Sequence, residues 1–147
     1  MRRVTLPPRP DWRRSAEENG FQFHTIDGET YWDESAYWEF DLAEIEEELE
    51  GPSAELHALC LALVDRVVDS ERDLRRLAIP ETAWGAIRDS WQRRDPSLYG
   101  RFDLAYDATG PAKMLEYNAD TPTALYETGV FQWLWLEGRM GDGALPR

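Results

Sequence analysis

The chain has 147 residues and a formal net charge of −13, from 29 acidic and 16 basic side chains. That charge excludes sequence-independent nucleic-acid binding, which needs a basic face, and disfavours anionic membrane surfaces. The length allows one domain with a real core, a single cysteine excludes an intrachain disulfide, and no signal or spanning segment is visible, so the cytoplasm is the expected compartment.

Pro7, Pro8 and Pro10 disfavour helix in the first eleven residues, which read as an extended arm. Asp11 is placed to cap a short helix from Trp12 to Glu18, closed by Asn19-Gly20. From Phe21 to Trp32 aromatic and polar residues alternate around Asp27-Gly28, a hairpin signal. His24 lies in that hairpin and reads as structural. The aromatic pairs Tyr31-Trp32 and Tyr37-Trp38 read as core packing or as a ligand shelf.

Asp41 to Glu50 is an acidic helical run whose glutamates spread around the axis, as on a solvated face. The spacing of Leu56, Leu59, Leu63, Val67 and Leu74 predicts one helix to Leu77 with a buried stripe, broken at Ile79-Pro80. Cys60 falls in its apolar phase and reads as a small buried hydrophobe. Glu81 to Arg94 follows as a second helix, with Trp84, Ile87 and Trp91 on one side. Thr123 to Arg139 closes the chain as a helix that is apolar over much of its surface. It either lies deep in a core or packs on a downstream lobe. Helices interleaved with short strand pairs place the chain in the α/β (α+β) class.

Between these helices lies the run YGRFDLAYDATGPAKMLEYNADTPTALY, residues 99–126. Two alternating segments flank Asp107-Ala108-Thr109-Gly110-Pro111, a cluster of turn formers. Side chains two apart on a strand share a face. Tyr99, Arg101 and Asp103 therefore fall on one side, with Phe102, Leu104 and Tyr106 on the other. Met114, Glu116 and Asn118 share a face of the second segment, opposed by Leu115 and Tyr117. Pairing the segments brings Arg101, Asp103, Glu116 and Asn118 together. Two carboxylates and an amide oxygen are the hard ligands Mg²⁺ takes, and the arginine fork suits a phosphate oxygen. An ordinary solvated sheet face has the same alternation, so spacing leaves both readings open.

The combination SLYGRFDLAYD…KMLEYNADTPTALYE resembles the glutathionylspermidine synthase family, whose synthetase part is an ATP-grasp-type ligase. The opening RPDWRRSAEENGFQFHTIDGETYWDESAYWEF, the stretch SAELHALCLALVDRVV and the close ETGVFQWLWLEGRM resemble its shorter members too, so the likeness covers nearly all of residues 1–147. The resemblance implies the N-terminal, pre-ATP-grasp-like portion of such a ligase, with helices packed around a small sheet or hairpins. It implies that Arg101 contacts nucleotide phosphate or the phosphorylated intermediate, and that Asp103 also borders the ATP phosphates. Asp103, Glu116 and Asn118 would hold Mg²⁺, with ATP as co-substrate. Thr121 and Thr123 would lie near the acid substrate, although Asp120 and Thr123 also suit helix capping.

The implied reaction joins a small-molecule acid to an amine. The carboxylate attacks the γ-phosphate, and the amine then displaces phosphate from the acyl phosphate. In the resembled synthase the acid is glutathione and the amine spermidine. Family members continue well past the equivalent of Arg147, and no G-x-x-x-x-G-K phosphate loop occurs in this sequence. The expectation is an N-terminal piece of a longer protein, or a truncated reading frame, without turnover by itself. The rival expectation is a binding or vestigial module. A metal-dependent hydrolase is disfavoured, because the two histidines, His24 and His57, lack metal-ligand spacing.

Overall fold

The computed structural model describes residues 1–120 and 122–146. They form mixed helix and small antiparallel sheets, as the α+β expectation requires, in two compact units. One unit combines Met1–Asp41 with Thr121–Arg147, and the other is Leu42–Asp120. Among the described residues no helix is long and apolar enough to cross a membrane.

In the first unit the opening arm is not merely extended. Strand β1 (Arg2–Thr5) ends before the prolines and pairs antiparallel with β4 (Ala36–Glu39), Val4 opposite Tyr37. Helix α1 spans Trp12–Glu18 as predicted. Asp11 does not cap it; its carboxylate instead accepts a hydrogen bond from Arg14 at 3.3 Å. The C-terminal signal works as read. Gly20 takes a left-handed φ of 80°, and the N–H groups of Gly20 and Phe21 return to the carbonyls of Glu17 and Ala16. That turn drives Phe21 inward. Strands β2 (Thr25–Ile26) and β3 (Glu29–Thr30) form the predicted hairpin, with positive φ at both Asp27 and Gly28.

The core of this unit is aromatic. Phe21 and Phe131 are 0% exposed and meet edge to face, with Trp12, Ala16 and Trp32 around them. His24 is buried, its ring nearly perpendicular to that of Trp12, and bonded through Nδ1 to Thr25 Oγ1 at 2.9 Å. Arg9 forks onto the fully buried carboxylate of Glu34, which also accepts from Trp32 Nε1. A further N–H of Arg9 reaches the carbonyl of Leu134. The closing helix starts later than predicted, because Ala124 adopts φ 71°. The Ala124 carbonyl receives Thr128 N–H and hydroxyl, a π-helical stretch covers Glu127–Phe131, and α6 runs Gln132–Gly141. Phe131 and Trp135 are buried while Trp133 is exposed, so the helix is only partly sunk in the core.

In the second unit the acidic run is a short helix α2 (Leu42–Glu44) and a π-helical stretch Ile45–Glu50 leading into α3 (Gly51–Val67). The predicted single helix to Leu77 is in fact two. Ser70 takes an extended conformation and caps α4 (Glu71–Arg76), its Oγ accepting from Asp73 N–H and donating to the Asp73 carboxylate. The predicted stripe splits accordingly. Leu74 is fully buried, whereas Leu59 and Leu63 are 59% and 57% exposed. Cys60 on α3 is half-buried and free. Helix α5 (Glu81–Arg93) ends at Arg94, which has a left-handed φ of 54°. Trp91 Nε1 ties α5 to Asp65 of α3 at 2.9 Å.

Candidate functional site

Strands β5 (Arg101–Ala105) and β6 (Lys113–Asn118) pair antiparallel within the second unit. The connecting turn is held by Asp107, whose carboxylate accepts from the backbone N–H and hydroxyl of Thr109. Those bonds keep the Asp107 carboxyl below its ordinary range. Ala112 N–H donates to the Glu48 carbonyl at 2.9 Å, tying the hairpin to the helical segment.

The register sets Arg101 opposite Asn118 and Asp103 opposite Glu116. Directly opposed residues in an antiparallel pair share a face, so all four lie on one side. Glu116 is exposed and the other three are half-buried, so the face is open to solvent. Between Asp103 and Leu104 the register slips by one residue, and Met114 stands opposite Leu104. Met114 therefore leaves the face predicted for it and joins the Phe102–Leu104 side. Alternation alone does not reveal a bulge, which is why the sequence misplaces it. The bulge comes after the Asp103–Glu116 pair and leaves the four polar residues in phase.

Arg101 and Asp103 are joined by two hydrogen bonds, Nε to Oδ1 at 2.7 Å and Nη2 to Oδ2 at 3.3 Å. The bond to Asp103, aided by the charges of Asp103 and Glu116, raises the Arg101 guanidinium above its already high ordinary value. Arg101 is a permanent cation on a face that otherwise carries two carboxylates. Among the described residues no group of three or more His, Cys, Asp and Glu side chains is placed to hold a metal. The hairpin set has two carboxylates and an amide. That donor set fits Mg²⁺, which is commonly bound through one or two carboxylates together with waters and substrate phosphates.

Thr123 is exposed and belongs to the other unit. Thr121 lies outside the described residues. Asp120 is exposed at the end of the second unit.

Two features around the hairpin escaped sequence reasoning. Tyr106 donates its hydroxyl to Glu44 at 2.7 Å, and desolvation together with that bond pushes its pKa up to about 12. On the face behind the polar four, Tyr117 meets Phe102 and bonds to His57. Neither the Tyr106–Glu44 bond nor the Tyr117–His57 bond has a sequence signal, because the partners are 62 and 60 positions apart. A groove of about 770 Å³ between α3 and α5, lined by Leu61, Val64, Val68, Ala86, Ile87 and Trp91 among others, contains none of the four hairpin residues.

Comparison with known proteins places the chain in a family. A relative from Haemophilus influenzae, named "Putative acid--amine ligase", is 41% identical over 141 residues, covering 93% of this chain and 35% of the relative. The bifunctional glutathionylspermidine synthetase/amidase of Escherichia coli is 37% identical over 103 residues, 69% of this chain and 16% of that protein. Trypanothione synthetase of Crithidia fasciculata is 37% identical over 84 residues, 56% of this chain and 13% of that protein. The chain thus spans about a third or less of the length of these curated relatives. The model of the glutathionylspermidine synthase preATP-grasp family matches residues 3–145, and the chain belongs to that family.

Proposed function

We propose that this chain supplies the preATP-grasp part of an ATP- and Mg²⁺-dependent acid–amine ligase, and that the β5–β6 face is its metal and phosphate edge. The observation that carries the reading is the register Arg101–Asn118 and Asp103–Glu116, which gathers two carboxylates, an amide and an arginine on one open face. The names of the relatives support the ligase class. In the proposed reaction an acid carboxylate attacks the γ-phosphate of ATP, giving an acyl phosphate and ADP, and an amine then displaces phosphate from the acyl phosphate to give an amide. Bound Mg²⁺ neutralises charge on the ATP phosphates. Asp103, Glu116 and Asn118 hold it through oxygen. Arg101 donates to phosphate oxygens, which a planar fork does bidentately. Thr121 and Thr123 are proposed to border the acid substrate.

A second reading, a binding module without chemistry, draws on the Arg101–Asp103 ion pair. In it the arginine neutralises one of the proposed ligands and both Asp103 oxygens are engaged. Titrating Mg²⁺–ATP and then EDTA against the purified chain separates the two. The ligase reading expects weak binding that chelation abolishes. A binding module for another ligand shows no metal-dependent nucleotide signal.

A further inference from the structure

Gly100 precedes β5, and a Cβ built on it would meet the Tyr117 ring at 2.7 Å and the Tyr117 hydroxyl at 3.0 Å. Its φ is not in the left-handed region, so backbone strain does not account for a glycine here. What the absent Cβ permits is close approach of the ring. Tyr117 uses that space in two ways. Its ring lies on Phe102, with centroids 4.2 Å apart and planes inclined at 34°. Its hydroxyl is hydrogen bonded to His57 Nδ1 at 3.1 Å, and the His57 ring stands edge-on to it.

Phe102 and Tyr117 are direct cross-strand partners. Phe102 separates Arg101 from Asp103 in sequence, and Tyr117 separates Glu116 from Asn118. The aromatic pair therefore lies directly behind the four polar residues, and His57 anchors it to α3. The pair also falls just before the bulge, where register would otherwise be free to slip.

We propose that Gly100, Tyr117 and His57 form a latch on the back of the hairpin that fixes the spacing and register of the two strands carrying Arg101, Asp103, Glu116 and Asn118. These three are positioning residues and touch no ligand. Their consequence for nucleotide affinity rests on the functional reading above; their effect on the strands does not. A Cβ at Gly100 would press on the Tyr117 ring, and in the proposal Gly100→Ala displaces that ring from both Phe102 and His57. Gly100→Ala and Tyr117→Leu should then remove the same interaction.

The test measures amide hydrogen exchange in β5 and β6 of the 147-residue chain, alongside Mg²⁺–ATP affinity by calorimetry. Gly100→Ala and Tyr117→Leu should each speed exchange in β5 and β6 about tenfold, leave α1 amides unchanged, and weaken Mg²⁺–ATP about tenfold (the size of one lost 1.4 kcal/mol interaction). The double variant should be no worse than either single one. His57→Leu should produce a few-fold effect that His57→Asn, which keeps an acceptor near the same position, restores. Tyr117→Phe, which keeps the ring, gives the milder case should a larger change unfold the unit. Unchanged exchange in Gly100→Ala, or additive effects in the double variant, overturns the latch. Altered exchange in a chain that binds no Mg²⁺–ATP leaves the latch standing and removes the functional reading instead.

Discussion

The two units spend their aromatic residues differently. In the first, Phe21, Phe131, Trp12 and Trp32 converge on one another, and a buried Arg9–Glu34 pair lies at their margin. In the second, α3 has no buried residue at all, and the Phe102–Tyr117 pair backs a strand pair whose other face is polar and open. The first arrangement is an interior that gains stability from packing. The second is a support that holds charged groups where solvent and ligands reach them, at a lower density of buried apolar contact.

The contrast is broken most severely by hollowing the first interior. Phe131→Ala should cost about 3–5 kcal/mol, because the residue is wholly enclosed and its neighbours are rigid rings that collapse poorly into the gap. Urea denaturation measures this directly; a loss under 1 kcal/mol would mean the interior is far looser than described. Glu34→Ala should cost a similar ~3–5 kcal/mol, since it leaves the Arg9 guanidinium largely enclosed without its counter-charge. Replacing both partners by apolar residues should recover most of that loss.

Alkaline pH probes the second unit selectively. Tyr106 titrates near 12 in the folded chain, above the ordinary tyrosine value, through desolvation and its bond to Glu44. A raised folded-state pKa means that its stabilising contribution is complete below about pH 10 and is lost as pH climbs through about 12. Denaturant melts between pH 9 and 12 should show that decline, and Tyr106→Phe should flatten it. At the small end, Leu63→Ala on the bare side of α3 should change stability by less than about 0.5 kcal/mol. A loss several times larger would show that this face is covered in solution.

The first unit was the more legible in sequence, and for local reasons. Asn19-Gly20 ends α1 and Asp27-Gly28 turns a hairpin because each needs only a left-handed glycine and its immediate neighbours. The shared face of Arg101, Asp103, Glu116 and Asn118 was legible because strand phase and a turn suffice to place it. What periodicity could not show was which apolar stripe finds a partner. Leu59 and Leu63 belong to the same predicted stripe as Leu74, yet of the three only Leu74 is covered. The break at Ser70 was marked by a Ser-x-x-Asp cap that the surrounding leucines masked. The bulge at Leu115 has no signal in the alternation, and the Tyr106–Glu44 and Tyr117–His57 bonds depend on chain partners far away in sequence, which no local pattern encodes.

The central claim is that the open hairpin face holds metal and phosphate. Calorimetric titration of Mg²⁺–ATP into the purified chain, repeated with Asp103→Asn and Glu116→Gln, tests it most directly. Each variant removes one ligand charge and keeps side-chain size, so melting temperature should stay within a degree or two of the parent. The account predicts metal-dependent binding with Kd on the order of 1 mM in the parent and at least about tenfold weaker in each variant. Parent binding that both variants retain, or no Mg²⁺-dependent binding in the parent, would contradict it.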